Sequence, residues 1–470
     1  MALRPILIAA LACSTATATH ASPRTDPTTG RAVFTGATSS NPTSIVLNPA
    51  AIGAGTFDAV YFAFSGTLDR TGIRSDTLDI GTGDVTPGDR ITATALGPGG
   101  TVAYVNHIGE RGTFGLQFHT PPPESFPADH AQLRYHTLGG GQRNWNVTAG
   151  GAVRFTSGLY FGASISHDNT FLRMKYALDG ALATGIDSDC GGAPCGVGNP
   201  LASETYDVRL RSDAVATTNL KVNVGILARV YRGVWLAIAY HTPPGFDIQS
   251  TLKGSMDVTR APRDGGTLLR GDGTVYVHFP ASIDFELRAP LPNELEVHVG
   301  GRWEDLSRLQ AYDVRGYGST FRANGVPEWV ERPRGFHDSF ALWAGVEQTD
   351  LGRDGFLVGG RIGVETSALD DRDTSPLTVS PASVTLDVGV QYRVTRNWRM
   401  QLSYGAQIFP AFAVKASGFD PRFQLACAAS GHDYDTAACA AVRNGYGTPT
   451  AAGEYSRLQH AMRFGVHYEW

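Results

Sequence analysis

Few residues in this chain have the spacing that catalysis needs. There is no G-x-S-x-G and no H-E-x-x-H, so neither a nucleophile elbow nor a zinc-hydrolase helix is present. A site assembled from scattered residues would carry no such motif, so an outer-membrane lipase stays open. Beyond Cys13, the cysteines fall in two close pairs, Cys190 with Cys195 and Cys427 with Cys439. Neither spacing suits zinc or a C-x-x-C redox centre, so two loop-local disulfides in an oxidising compartment are expected, with no metal and no cofactor. Charged residues such as Glu294, Glu296, Arg302, Arg361, Glu365, Arg393, Arg399 and Arg463 sit at alternate positions of apolar stretches. They could hold a carboxylate ligand, but most are expected to pair with one another or with a plug.

The elements that carry them are strands. From Ser383 to Thr395, Val384, Leu386, Val388, Val390 and Tyr392 face one way, and Asp387, Gly389, Gln391 and Arg393 the other. Leu220, Val222, Val224, Ile226, Ala228 and Val230 oppose Lys221, Asn223, Gly225 and Arg229 in the same manner. Period-2 alternation is a strand signal, and in a membrane barrel the apolar face meets lipid while the polar face lines the lumen. Fourteen strands are read, at 57–68, 100–107, 112–119, 144–155, 158–168, 217–231, 233–242, 274–287, 293–304, 338–348, 355–366, 383–394, 397–409 and 457–470. Short connections (Ile108–Arg111, Thr156-Ser157, Arg232, Thr395-Arg396) alternate with long ones (69–99, 169–216, 305–337, 410–456). That rhythm predicts an up-and-down transmembrane β-barrel, with both termini on the short-turn, periplasmic side.

The ends agree. Residues 1–21 read as a signal peptide: Arg4, an apolar run Ile6–Ala12, then small residues with cleavage near Ala21. No stretch approaches the roughly 18 apolar residues of a transmembrane helix. Met462, Phe464, Val466, Tyr468 and Trp470 share one face of a last strand ending on an aromatic residue, which resembles the signal read by barrel-assembly machinery. Mean hydropathy is −0.13, the average expected when lipid-facing and lumen-facing residues alternate. A net charge of −5 gives no case for nucleic acid. The domain plan is therefore signal peptide 1–21, a lumen plug or hatch at 22–55, and a Gram-negative outer-membrane barrel at 56–470.

The plug segment reads Gly30-Arg31-Ala32, then Gly36-Ala37, then Asn48-Pro49-Ala50 just before the first strand. This pattern resembles the N-terminal hatch of the long-chain fatty acid transporter (FadL-type) family, which includes uptake channels for aromatic hydrocarbons. Trp303-Glu304-Asp305-Leu306-Ser307, Leu369–Pro376 and Gly453-Glu454-Tyr455 resemble later parts of the same family.

The resemblance implies a fourteen-stranded barrel that takes up hydrophobic small molecules passively. In that family the hatch moves and the ligand leaves sideways through a gap at a kink in the third strand. Pro121-Pro122-Pro123 follows the third strand here, and proline removes ladder donors, so these residues are the candidate gap. A second run, Pro243-Pro244 after Tyr240-His241-Thr242, allows the plainer reading of a strand terminator. Expected partners are a fatty acid or hydrocarbon, outer-membrane lipid with lipopolysaccharide, and the assembly machinery; the chain is expected to act as a monomer. A general porin for polar solutes or an adhesin could be built on the same kind of barrel.

Overall fold

The computed structural model describes residues 33–470 apart from 80–81, 128–129, 180–206, 247–248, 261–265, 320, 322–327, 349–354, 432 and 434. Its strands are β1 (Ala59–Leu78), β2 (Val85–Pro87), β3 (Ile91–Ile108), β4 (Gly112–Thr120), β5 (Glu124–Ser125), β6 (Gly139–Thr156) and β7 (Leu159–Asp179). Then come β8 (Asp207–Tyr231), β9 (Val234–His241), β10 (Ser250–Arg260), β11 (Leu268–Val277), β12 (Ser282–Leu291), β13 (Leu295–Glu304) and β14 (Ala311–Tyr317). The rest are β15 (Trp329–Pro333), β16 (Ser339–Gln348), β17 (Phe356–Glu365), β18 (Ser383–Arg393), β19 (Trp398–Val414) and β20 (Gly453–Glu469).

Fourteen of these form one antiparallel ring in the order β1, β3, β4, β6, β7, β8, β9, β12, β13, β16, β17, β18, β19, β20. The ring closes where β20 returns to β1, in register from Ala59 opposite Glu469 to Ser75 opposite Gly453. The predicted alternation is present around the wall. On β16, Phe340, Leu342 and Val346 are exposed while Ala341, Trp343 and Glu347 are buried inside. An outward apolar face with a polar interior is the reverse of a soluble sandwich and matches a lipid-facing wall. At the short-turn end the belt becomes aromatic: Trp398 lies against Tyr468 and Phe356 against Tyr392, both at 4.6 Å between ring centroids.

Three expectations need correction. The stretch 274–287 is two strands, because Phe279-Pro280-Ala281 interrupts it: β11 lies outside the ring and β12 inside it. The expected long connection 69–99 is mostly strand, since β1 and β3 extend as a paired hairpin as far as Ile73 opposite Ile91. Glu294 belongs not to a lumen face but to a tight turn, exposed and with a φ of 59°.

Above the ring, β7 and β8 continue outward, β10 pairs with the outer half of β8, and β11, β14 and β15 follow in turn. Here the apolar side chains point inward. Leu172, Met174, Leu210, Leu252, Met256 and Val275 pack with Phe126, Phe279 and Phe336 into one buried cluster. A loop bearing Arg134, Tyr135 and His136 locks onto it: Arg134 Nε stands 2.7 Å from Asp207, and the Tyr135 hydroxyl donates to the same carboxylate at 2.9 Å. Burial and the nearby Arg332 guanidinium push His136 down to about 3. Two short helices, Arg422–Ala429 and Ala437–Arg443, are joined by the predicted Cys427–Cys439 disulfide. Cys190 and Cys195 lie outside the described residues.

Candidate functional site

The segment ahead of β1 sits inside the ring. A barrel of fourteen strands has a lumen too wide for its own side chains to fill, and residues 33–55 occupy it. Gly30 and Arg31 lie outside the described residues; Gly36, Asn48, Pro49 and Ala50 are all buried in the lumen or pressed against its wall. A four-residue helical turn, Ser44–Leu47, leads to a 3₁₀ helix, Pro49–Ala54. Between them Asn48 is extended, with φ −151° and ψ 98°, and proline suits the first position of the helix that follows.

The Asn48 side chain explains why an amide stands there. Its Oδ1 accepts from the Ala50 N–H at 3.1 Å, capping the 3₁₀ helix. Its Nδ2 donates to Ala37 O at 2.9 Å, across the plug, and to Ile226 O at 3.1 Å, on the wall. One side chain thus ties two arms of the plug to β8. Glycines in the wall permit that approach: a Cβ on Gly225 would stand 2.0 Å from Asn48 Oδ1, and one on Gly162 2.2 Å from the Ala50 nitrogen.

The other side of the plug is held by wall carboxylates. Phe34 N–H donates to Glu347 Oε1 at 2.8 Å. Glu286 accepts from the Thr38 N–H at 3.2 Å and from the Thr38 hydroxyl. Gln401 Nε2 donates to Val33 O at 3.0 Å. Between the two carboxylates lies His298, 3.6 Å from Glu286 and 3.5 Å from Glu347, while Arg361 reaches Glu347 at 2.8 Å. Glu286 and Glu347 thus tether this side of the plug to the wall. Neither was singled out from sequence. Glu347 is the one acid on the lumen face of β16, and Glu286 shares the lumen face of β12 with Asp284, so neither carries a local signal of its partner. Of the charges that were singled out, Arg302 pairs with Asp284 at 2.7 Å through two nitrogens, Arg361 with Glu347, and Arg399 with Glu469. Glu365 accepts from Gln407 at 3.3 Å, Arg463 is buried, Glu296 is half-buried, and Arg393 is exposed at a strand end.

Beyond the plug is a cavity of about 220 Å³. Val46 and Leu47 of the plug line it, as do Phe279 and Pro280 from the interruption between β11 and β12. Its walls are polar, with Asn144, Lys221, Arg302 and Glu304. The repeated His-Thr-Pro-Pro segments meet here: His119 with Pro121 from one copy and His241 with Pro244 from the other. His241 Nδ1 is 2.9 Å from Asn223 Oδ1, and Nε2 is 2.9 Å from Asp284.

The two copies differ in what they do to the wall. After β9, Thr242 N–H donates to Val222 O and Gly245 N–H to Leu220 O, both at 2.9 Å, so the second copy stays joined to β8. After β4 the ladder with β3 stops at Gly100 opposite Thr120. Among the described residues no ladder pair joins β3 beyond Gly100 to β4 or β5, and β5 pairs with β6 instead. Pro122 and Pro123 lie against Gly99 and Gly97, where an added Cβ would be 2.9 and 2.8 Å from the rings. Leu96, 76% exposed, and the exposed Phe118 flank this break on the lipid side.

No protein-family model and no curated protein matches the chain. Solved structures do. A Pseudomonas aeruginosa FadL homologue aligns with a TM-score of 0.72 at 14% identity, over 97% of this chain and 99% of its own. The Pseudomonas putida toluene transporter TodX aligns at 0.59 and 13%, covering 92% and 94%. The Ralstonia pickettii toluene transporter TbuX aligns at 0.55 and 15%, with the same coverages. At such identities the likeness establishes the fold: this chain has the plugged fourteen-stranded barrel architecture of the FadL-type channels.

Proposed function

We propose that the protein is a passive outer-membrane channel for hydrophobic small molecules, long-chain fatty acids or aromatic hydrocarbons, that works by hatch movement and lateral release. The observation that carries this reading is the pairing of a latched plug with a ladder break in the same barrel. The plug is bonded to the wall across the lumen, and the ladder stops at Pro121–Pro123 beside apolar outer surface at Leu96 and Phe118. A hydrophobic solute leaving into water would lose about 0.8 kcal/mol for each CH₂ exposed; leaving sideways into lipid avoids that. Val46 and Leu47 of the plug line the cavity, so on this reading a shift of the hatch opens the way past it. The fold shared with a FadL homologue and two toluene transporters supports the substrate class.

On this reading residues 1–21 are a cleaved signal peptide, both termini are periplasmic, and the assembly machinery and outer-membrane lipid are the partners during biogenesis. The chain acts without enzymatic chemistry. Uptake of radiolabelled oleate and toluene by cells expressing the protein, against cells lacking it, tests the proposal. Transport is expected only when the barrel is present, with no steady ion conductance in planar bilayers. A large continuous conductance would establish a porin instead; ester hydrolysis lost on changing one lumen residue would establish an enzyme.

A further inference from the structure

The height of the lipid belt can be read from β7. Its outward residues run from Phe161 to Phe171, 45% and 42% exposed. That stretch is roughly 33 Å long at about 3.3 Å per residue, and at a tilt of about 40° it rises about 25 Å, the height of an apolar barrel band. Phe171 therefore marks the outer edge of the belt. Neighbouring rings agree, since Phe118, Trp145 and His167 cluster there at centroid distances of 5.7–6.3 Å.

Directly at and above that edge the outward positions become basic. In register with Phe171 are Arg143 on β6 and, through Val215, Lys253 on β10. One pair higher stand Arg173 and Asp213, then Lys175 beside Arg211, Asp257 and Arg270 in a row across four strands. Arg209 and Asp272 complete the field. Arg143, Arg173, Arg211, Lys253 and Arg270 are exposed. Among the described residues seven cations stand on this face against three carboxylates; Asp213 is shared between Arg173 and Arg211, the latter at 2.7 Å, and Asp257 lies 3.7 Å from Arg270. The excess is local. Above Phe340 on the far wall the outward position is Asp338, held by the Trp303 indole N–H at 3.1 Å.

We infer that this face of the barrel is a docking site for a phosphorylated glycolipid of the outer leaflet, of the lipid A kind. Its phosphates would meet the basic rows while its acyl chains lie along Phe118, Trp145 and Phe171. Guanidinium groups suit phosphate geometry, and the contiguous apolar belt selects a lipid over a soluble anion. The inference rests on the barrel and its belt, not on the transport reading.

Binding of bisphosphorylated lipid A and of its dephosphorylated form to the purified full-length barrel, followed by native mass spectrometry, tests it. Each cation near an anionic lipid surface is expected to change affinity about fivefold. The wild type should prefer the phosphorylated lipid at least tenfold, and K175Q/K253Q, which leaves the Arg–Asp pairs in place, should reduce that preference by about an order of magnitude. D213N/D257N/D272N should raise it, and decides the matter if the lysine variant fails to fold. Millimolar inorganic phosphate should not displace the lipid. Equal binding of the two lipids, indifference to these substitutions, or displacement by free phosphate would overturn the assignment.

Discussion

The latch on the plug makes a measurable prediction. Glu286→Ala removes the acceptor for both the Thr38 N–H and the Thr38 hydroxyl. Hydrogen bonds to a charged partner contribute about 1.5–3 kcal/mol each, so the closed plug loses about 3 kcal/mol at the low end. That change shifts the open-to-closed ratio by roughly a hundredfold. Glu286→Gln keeps the volume and one acceptor while losing the charge, and should shift the ratio about tenfold. Glu347→Ala removes one plug bond, that from Phe34 N–H, along with its pairing to Arg361, and should fall between the two. Opening can be counted as transient conductance steps in planar bilayers. It can also be followed by thiol labelling of Ala37→Cys, a position buried in the closed plug. More frequent steps and faster labelling in the order Glu286→Ala, Glu347→Ala, Glu286→Gln are expected. If all three variants fold as barrels yet match the wild type in both measurements, the carboxylates do not hold the plug and the reasoning fails.

Other substitutions probe the rest of the site. Gly225→Ala and Gly162→Ala insert a methyl 2.0 Å from Asn48 Oδ1 and 2.2 Å from the Ala50 nitrogen. Overpacking of this kind costs about 1–3 kcal/mol, so each should expel the plug and lower the melting temperature of the folded barrel on a heat-modifiability gel. Replacing Pro121–Pro123 with three alanines restores ladder donors opposite Gly97–Gly99; hydrophobic uptake should fall while conductance steps stay unchanged, and undiminished uptake would remove the wall break from the mechanism. His136, held near 3 in the fold against about 6.5 when unfolded, binds its proton first in the unfolded loop. Its contribution is complete above pH 6.5 and is lost as pH falls toward 3, at up to about 1.4 kcal/mol per unit. Proteolysis of the 130–138 loop should accelerate over that window in the wild type, and His136→Gln should flatten the dependence.

Much of the wall was legible because one rule governs it: apolar out, polar in, at period 2. The strand count and the short turns at Gly109, Gly233 and Thr395 follow from that rule and from turn residues. It fails above the belt, and β7 shows why. Below its outer part the outward apolar residues are odd-numbered, Phe161, Ala163, Ile165 and Phe171; beyond it the even-numbered Leu172, Met174 and Tyr176 are apolar and face a core. The phase of the pattern inverts within one unbroken strand, so a reading keyed to a single phase stopped at residue 168. β8 differs: its apolar residues stay even-numbered, and the face changes instead, Leu210 and Ala214 lying inside and Leu220 and Val224 outside, across the register shift between Ala216 and Asn219. The plug was legible through Asn48-Pro49-Ala50, which does in the structure what an amide before a proline can do. Its latch was not, since nothing local in the sequence tells Glu286 or Glu347 which backbone donors will face it.

The seam between β1 and β20 bears on how the barrel closes. Ala59 pairs with Glu469, and Trp470 N–H donates to Asp58 O at 3.1 Å while its ring stacks over Tyr104 at 6.2 Å. The two strands that lock the ring are thus the most distant in sequence, and the ring cannot close without β20. The plug lies immediately before β1 and stands against Gly162, Gly225 and Glu286, on strands that the seam holds in one ring. Bringing such distant ends together carries an entropic cost that only a nearly complete ladder repays. Sealing of the cylinder is therefore a single cooperative event, and a chain lacking β20 should leave the plug without a closed wall around it.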